Sequence, residues 1–245
     1  MANIKTETSP QVYARICGLS YLIIIVAGAM GEIFIRGKIV VPGNAIATAQ
    51  NISASPMLWR AGIFGDLVMH VFDLVSAVIY YYLFKRVNKN LALLSLLFSM
   101  IQTAVLVANK MNLVIPLFLL DNADYLKAFN PQQLQALSYL SIKAHEYGFG
   151  IGLIFFAFGC FIDGYLIFKS EFLPRFLGVM IFVAGACYLT NSFLLIFSPA
   201  LERSLFPTIL GPLAFIGELS MCLWLLVMGV NVAKWKELGS INSTT

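Results

Sequence analysis

RAGIFGDLVMHVFDLVSAVIYYYLFKR, running from Arg60 to Arg86, is the stretch whose reading decides the fold. It is long and apolar enough to cross a bilayer, whose hydrocarbon core is spanned by about 20 residues of helix. Yet Asp66, His70 and Asp73 lie inside it. Their spacing of i, i+4 and i+7 puts all three on one side of a helix. Ionisable groups at membrane depth are expensive, and they mark a functional site or a protected interior.

Working outward, the whole chain reads the same way. Its 245 residues are 60% hydrophobic and only 11% charged, whereas a soluble domain has about 25% of its residues charged. Such a chain cannot keep a soluble surface. Its apolar runs are long and rich in Leu, Ile and Phe, not short and alternating, so they read as helices and not as a barrel. The expected fold is all-α, a polytopic membrane helix bundle of six transmembrane helices. The bundle is one domain over residues 14–234, between polar tails at 1–13 and 235–245. A net charge of +4 suits basic loops on a membrane protein and implies no nucleic-acid partner. Membrane lipids are the expected partners; oligomeric state is not legible.

The six spans are expected at about 16–35, 61–84, 91–120, 145–168, 176–197 and 206–232. The triplet Ala27-Gly28-Ala29 mimics a signal cleavage site, but the apolar run continues past it, so the first helix is expected to stay uncleaved. Residues 37–59 hold turn signals around a weakly helical Asn44 to Ala54. Asn51-Ile52-Ser53 matches a glycosylation acceptor, too short a pattern to carry weight. Asn130-Pro131 reads as a helix start. From there, either an interfacial helix at 131–144 bends at Gly148-Phe149-Gly150, or one long helix begins outside the bilayer. Pro207 and Pro212 are expected to unwind the start of the last span.

Basic residues divide unevenly between the two ends. Lys5, Arg15, Lys85, Arg86, Lys89, Lys169, Arg175, Lys234 and Lys236 fall on one side; Arg36, Lys38, Arg60, Lys127 and Arg203 fall on the other. The positive-inside bias places both termini in the cytoplasm, in a multi-pass protein of the inner cell membrane. Tyr80-Tyr81-Tyr82 beside Lys85 and Arg86 reads as an interfacial aromatic belt. Cys17, Cys160, Cys187 and Cys222 all lie within spans and form no C-x-x-C pair, so they read as small packing residues.

Three stretches carry a resemblance: GLSYLIIIVAGAMGEIFIRGKIVVPGNAIATAQNI from Gly18, YGFGIGLIFFAFGCFIDGYLIFKSEFLPRFLGVM from Tyr147, and FIGELSMCLWLLVMGVN from Phe215. The chain resembles the bacterial domain-of-unknown-function family 4386 from about Ala14 to Val232. Its most specific pieces are Phe172-Leu173-Pro174-Arg175 and Gly217-Glu218-Leu219-Ser220. The resemblance implies a polytopic helical membrane protein and carries no activity or catalytic residue.

Chemistry can be placed only by depth. With a rise of about 1.5 Å per residue from Arg60, Asp66 lies roughly 9 Å in, His70 roughly 15 Å and Asp73 roughly 20 Å. Glu32, Lys110, Asn112, His145 and Asn191 also fall in the outer part of their spans, and Glu218 near the middle of the sixth. These eight candidates, Glu32, Asp66, His70, Lys110, Asn112, His145, Asn191 and Glu218, suggest a polar pocket in the outer half of the bilayer. The pocket would bind, or transport, a small solute or lipid. Two alternatives stand beside it. Buried charges alone could fix helix packing, with Lys110 neutralising Asp66 or Glu32. Or Asp66, His70 and His145 could hold zinc in an intramembrane metal-dependent hydrolase, with Glu146 or Glu218 as base. No cofactor is otherwise expected. There is no second histidine to complete H-E-x-x-H after His145-Glu146, and no G-x-S-x-G, Walker or dinucleotide motif.

Overall fold

The computed structural model describes residues 9–121 and 123–241. Lys5 and the outer ends of both expected tails lie outside the described residues, as does Asn122 in the turn after the third span. Six helices are long and apolar enough to cross a membrane: Pro10–Ile39, Pro56–Phe84, Lys89–Leu119, Pro131–Lys169, Arg175–Phe197 and Pro199–Val227. The protein is a multi-pass, all-helical membrane protein, and we number these helices as the first to sixth spans.

Local chemistry explains where each span starts. Ser9 accepts from the Gln11 amide and Pro10 opens the first helix, so it begins about six residues before the apolar run. Asn88 caps the third span by accepting from the Leu91 amide at 3.0 Å. Asn130 and Gln133 form a reciprocal capping box ahead of the fourth. That helix is one unbroken rod of 39 residues, about 58 Å long. It far exceeds a hydrocarbon core of about 30 Å. No separate interfacial helix stands at 131–144: the capping box starts the same helix that runs on through Gly148 and crosses the bundle.

Two spans contain a widened, π-type stretch. In the first, Met30–Arg36 is π-helical. In the sixth, Phe206–Leu210 is π-helical, between Pro199–Leu205 and Gly211–Val227. The sixth span therefore begins at Pro199 and runs through Pro207 and Pro212, where an unwound start was expected. Each proline removes a donor, and the wider turn absorbs the local misfit without ending the helix. The third span breaks register at Lys110, between Lys89–Asn109 and Met111–Leu119. Pro116, inside its last turns, cannot donate to the Asn112 carbonyl.

The connection after the first span folds back as the short helix Ala45–Ala54, capped by Asn44. Here the Asn51 amide donates to the Ile39 carbonyl at 3.0 Å. Asn51 is thus a structural tie between helix and loop. Gly43 donates to the Tyr139 hydroxyl at 2.7 Å, tethering this loop to the projecting start of the fourth span.

At the opposite end the chain closes on itself. Gln11 donates to the Met228 carbonyl and accepts from the Val230 amide, both at 2.9 Å. Asn231 donates to the Phe172 carbonyl at 3.0 Å. The expected polar tail from 235 is instead part of a helix, Val232–Ile241. Its Trp235 is buried, donates to the Leu83 carbonyl at 3.1 Å and lies 3.4 Å beneath the Arg86 guanidinium. Both described chain ends therefore sit at one end of the bundle, beside the 85–88 and 170–174 connections.

Among the described residues there is a small apolar cluster of Ala184, Cys187 and Ala214, and there are two larger ones. One, at the end where the chain closes, includes Cys17, Leu83, Phe84, Leu177, Leu225 and Trp235. The other includes Ile35, Ile52, Trp59, Ile63, Leu113 and Ile142. The polar layer described below lies between them. Small residues let the helices approach: a Cβ on Gly164 would stand 2.7 Å from the Gly178 carbonyl oxygen, and one on Gly178 2.5 Å from that of Gly164.

Trp235→Ala should lower the unfolding free energy by about 3–5 kcal/mol, the usual cost of emptying a fully buried aromatic site. Equilibrium unfolding in detergent checks this, and a change under about 1 kcal/mol would mean the terminal helix is not docked.

Candidate functional site

Asp66 is the centre of the polar layer. It is fully buried on the second span. Arg36, at the end of the π-helical stretch, donates Nη1 to Oδ2 at 2.7 Å and Nη2 to Oδ1 at 3.1 Å. This two-pronged grip is the strong geometry for guanidinium and carboxylate. Lys110, at the register break of the third span, stands 2.9 Å from the same Oδ2. Arg36 also donates Nε to Glu32 one turn back, at 2.8 Å. The cluster thus sets two carboxylates against two cations and is neutral as a whole.

Its fourth wall is His145. The Lys110 ammonium lies 3.4 Å from His145 Nε2. An ammonium has no lone pair, so this contact requires Nε2 to be the unprotonated ring nitrogen. Asn109 donates to the His145 carbonyl at 2.9 Å, and Asn112 donates to Asn109 Oδ1 at 3.0 Å. The third and fourth spans approach closely here: a side chain on Gly148 would strike Asn109.

Gly31 has a similar role on the first span. A Cβ there would sit 2.5 Å from Asp66 Oδ1, so only glycine lets the carboxylate come this near. Glu32 alone opens outward, with 70% of its side chain accessible.

The eight candidates do not form one group. Glu32, Asp66, Lys110 and His145 come together, and Asn112 joins through Asn109. His70 lies one turn along the second span and pairs with Asp73 through Nδ1 at 2.9 Å; its Nε2 is buried without a partner. Asn191 is buried on the fifth span, and its Oδ1 has no partner. Glu218 stands apart, near Tyr188 and Asp73. Glu146 is engaged by Lys143 at 2.7 Å. Among the described residues no three His, Cys, Asp or Glu side chains stand close enough to share a metal ion. The set Asp66, His70 and His145 is divided instead, because Asp66 is taken by two cations. A groove of about 330 Å³ lies by the end of the third span, lined by Leu119, Leu120, Lys127 and Gln135 among others, and none of the eight candidates lines it.

A family described as a domain of unknown function, DUF4386, matches residues 16–229. The chain belongs to this family. A protein of Archaeoglobus fulgidus titled "Uncharacterized protein" is 28% identical over 167 residues, covering 68% of this chain and 83% of the relative. That relative is archaeal, so the similarity is not confined to bacteria. No solved structure matches the chain.

Two residues of the buried polar groups, Arg36 and Asp163, are not among the eight candidates. Arg36 was counted as a loop charge, although its place four residues after Glu32 signalled a pair. Asp163, within the fourth span, bonds to Ser95 Oγ at 2.6 Å. A lone carboxyl in an apolar run was the available signal.

Asp66→Asn should destabilise the protein by about 3–5 kcal/mol, because it leaves the buried Lys110 without its carboxylate and Arg36 with the exposed Glu32 alone. Adding Lys110→Met should restore part of the loss. Thermal unfolding of both variants checks this, and a fully additive double variant would contradict a direct pair.

Proposed function

We propose that this family member binds a small solute or lipid headgroup bearing an anionic group, in the polar layer around Arg36. The reading rests chiefly on one observation: Arg36 joins a fully buried carboxylate to an accessible one. Asp66 fixes the guanidinium in place, and Glu32 covers its outward side. A ligand phosphate or carboxylate can displace Glu32 and take the Nε donor, while the grip on Asp66 holds the site in shape. Lys110 and His145 form the inner wall. This assigns binding, with or without transport, and not catalysis. A phosphate-headed phospholipid in nanodiscs should raise the melting temperature of the wild type. Glu32→Gln should enlarge that shift and Arg36→Gln abolish it. An equal shift in Arg36→Gln would overturn the assignment.

The second reading, that the charges serve only to fix helix packing, is favoured by their mutual neutrality. It predicts no ligand-dependent shift in any variant alongside the stability loss of Asp66→Asn.

The proposed topology puts the closing end of the bundle, with both termini, in the cytoplasm of the cell membrane. Its support is the gathering of Arg15, Lys85, Arg86, Lys169, Arg175 and Lys234 near that end. A fluorescent protein fused after Thr245 should fold and fluoresce, and a periplasmic phosphatase fused there should be inactive; the reverse pair of results would invert the orientation.

A further inference from the structure

The second span carries more than the outer cluster. Asp66, His70, Asp73, Ser76 and Tyr80 follow one another at spacings of four, three, three and four residues. They make one polar face about 21 Å long. Asp66, His70, Ser76 and Tyr80 are buried, and Asp73 is nearly so. Six buried side-chain atoms lack a hydrogen-bond partner among the described residues. Three of them, His70 Nε2, Ser76 Oγ and Tyr80 Oη, are on this face.

Where the face ends, two carboxyl groups wait without a cation. Asp163 on the fourth span has Ser95 as its bonding partner. Glu218 on the sixth has Tyr188, with Asp73 also within electrostatic reach. Among the described residues neither forms an ion pair. Tyr80 lies within electrostatic range of both carboxyls but bonds to neither, and Cys160 is within the same range. Tyr21 of the first span stacks on Tyr80 at 6.5 Å and also reaches Glu218, and Cys17 stands beside both tyrosines. Every one of the six spans thus contributes a polar group here. Asp163, Glu218, Tyr21 and Tyr188 sit deep among the helices, yet each keeps partial accessible surface.

An ionised carboxylate without a counter-charge is costly in such surroundings. The outer cluster solves that problem with Arg36 and Lys110. Here no side chain does so, and the buried Tyr80 hydroxyl has nothing to bond in the structure as it stands. We infer that Glu218 and Asp163 form a proton-binding site, reached from the outer cluster along the polar face of the second span. The exchange step balances simply. A proton leaves protonated Glu218 for the Tyr80 oxygen while the hydroxyl hydrogen of Tyr80 passes to ionised Asp163. Two O–H bonds break, two form, and net charge is conserved; water spans any gap the side chains leave. Among the described residues, no three carboxylates, histidines or thiols converge here as metal ligands would. This site does not rest on the anion-binding reading above.

The test is infrared difference spectroscopy of the purified full-length protein in nanodiscs, recorded between acid and alkaline pH. The wild type should show a protonated-carboxyl C=O band that is lost on alkalinisation. Glu218→Gln should remove one part of it and Asp163→Asn another. Both replacements keep side-chain size; if Asp163→Asn fails to fold, Glu218→Gln alone decides. Tyr80→Phe should keep the band but take up deuterium more slowly. No pH-responsive band, or a band unchanged by the carboxyl substitutions, would overturn the site. Unchanged deuterium uptake in Tyr80→Phe would overturn the route.

Discussion

The fork between Arg36 and Asp66 is the constraint on which the rest of the bundle depends. A carboxylate cannot be left bare at this depth, so something cationic must reach it from another helix. Arg36 reaches it only because the first span widens into a π turn before its end, and only because Gly31 offers no side chain in the way. Lys110 reaches it at the point where the third span breaks register. The irregular backbone and the buried charge are therefore two sides of one arrangement. Widened turns and broken helices are tolerated in membranes where protein encloses them.

The polar layer has a further effect on packing. Apolar side chains gain little by meeting each other in place of lipid tails, so hydrophobic burial alone gives the spans no fixed partners. Close-packed glycines and hydrogen-bonded polar groups supply that choice. The pairs Gly164 with Gly178 and Gly148 with Asn109 set helix distances. The Trp59 indole, donating to the Leu113 carbonyl at 2.8 Å, ties the second span to the third beside the register break. With an apolar cluster at each end and a charged layer between, sliding one helix along another would strand a charge in a greasy environment. Register is held by that penalty.

Much of this was readable from residues alone. The spacing of Asp66, His70 and Asp73 announced a polar helix face, and Lys110 was recognisable as a counter-charge for Asp66. The six spans were visible as apolar runs. Their ends were not, because caps such as Ser9-Pro10 and Asn130-Pro131 extend helices beyond the apolar residues into polar sequence. The order of polar groups along a span was legible, but rotation about its axis was not. Glu218 therefore seemed to belong with Asp66, when it points instead toward Tyr188. Arg36 was misjudged for a related reason: it follows the apolar run, and nothing in composition says that a π turn folds it back inward. Trp235 lies in sequence polar enough to pass for a tail, and only its contact with Leu83 reveals a docked helix.

The closure of the bundle through Gln11, Trp235 and the turn at Gly229 has a consequence for biogenesis. The first span is fastened to residues that follow the sixth, and the Leu83 carbonyl bonds an indole some 150 residues downstream. Until those residues are made, the nascent bundle is open and its first span lacks these neighbours. Premature termination before Trp235 would leave six inserted segments with no clasp, the kind of unfinished substrate that membrane quality control removes.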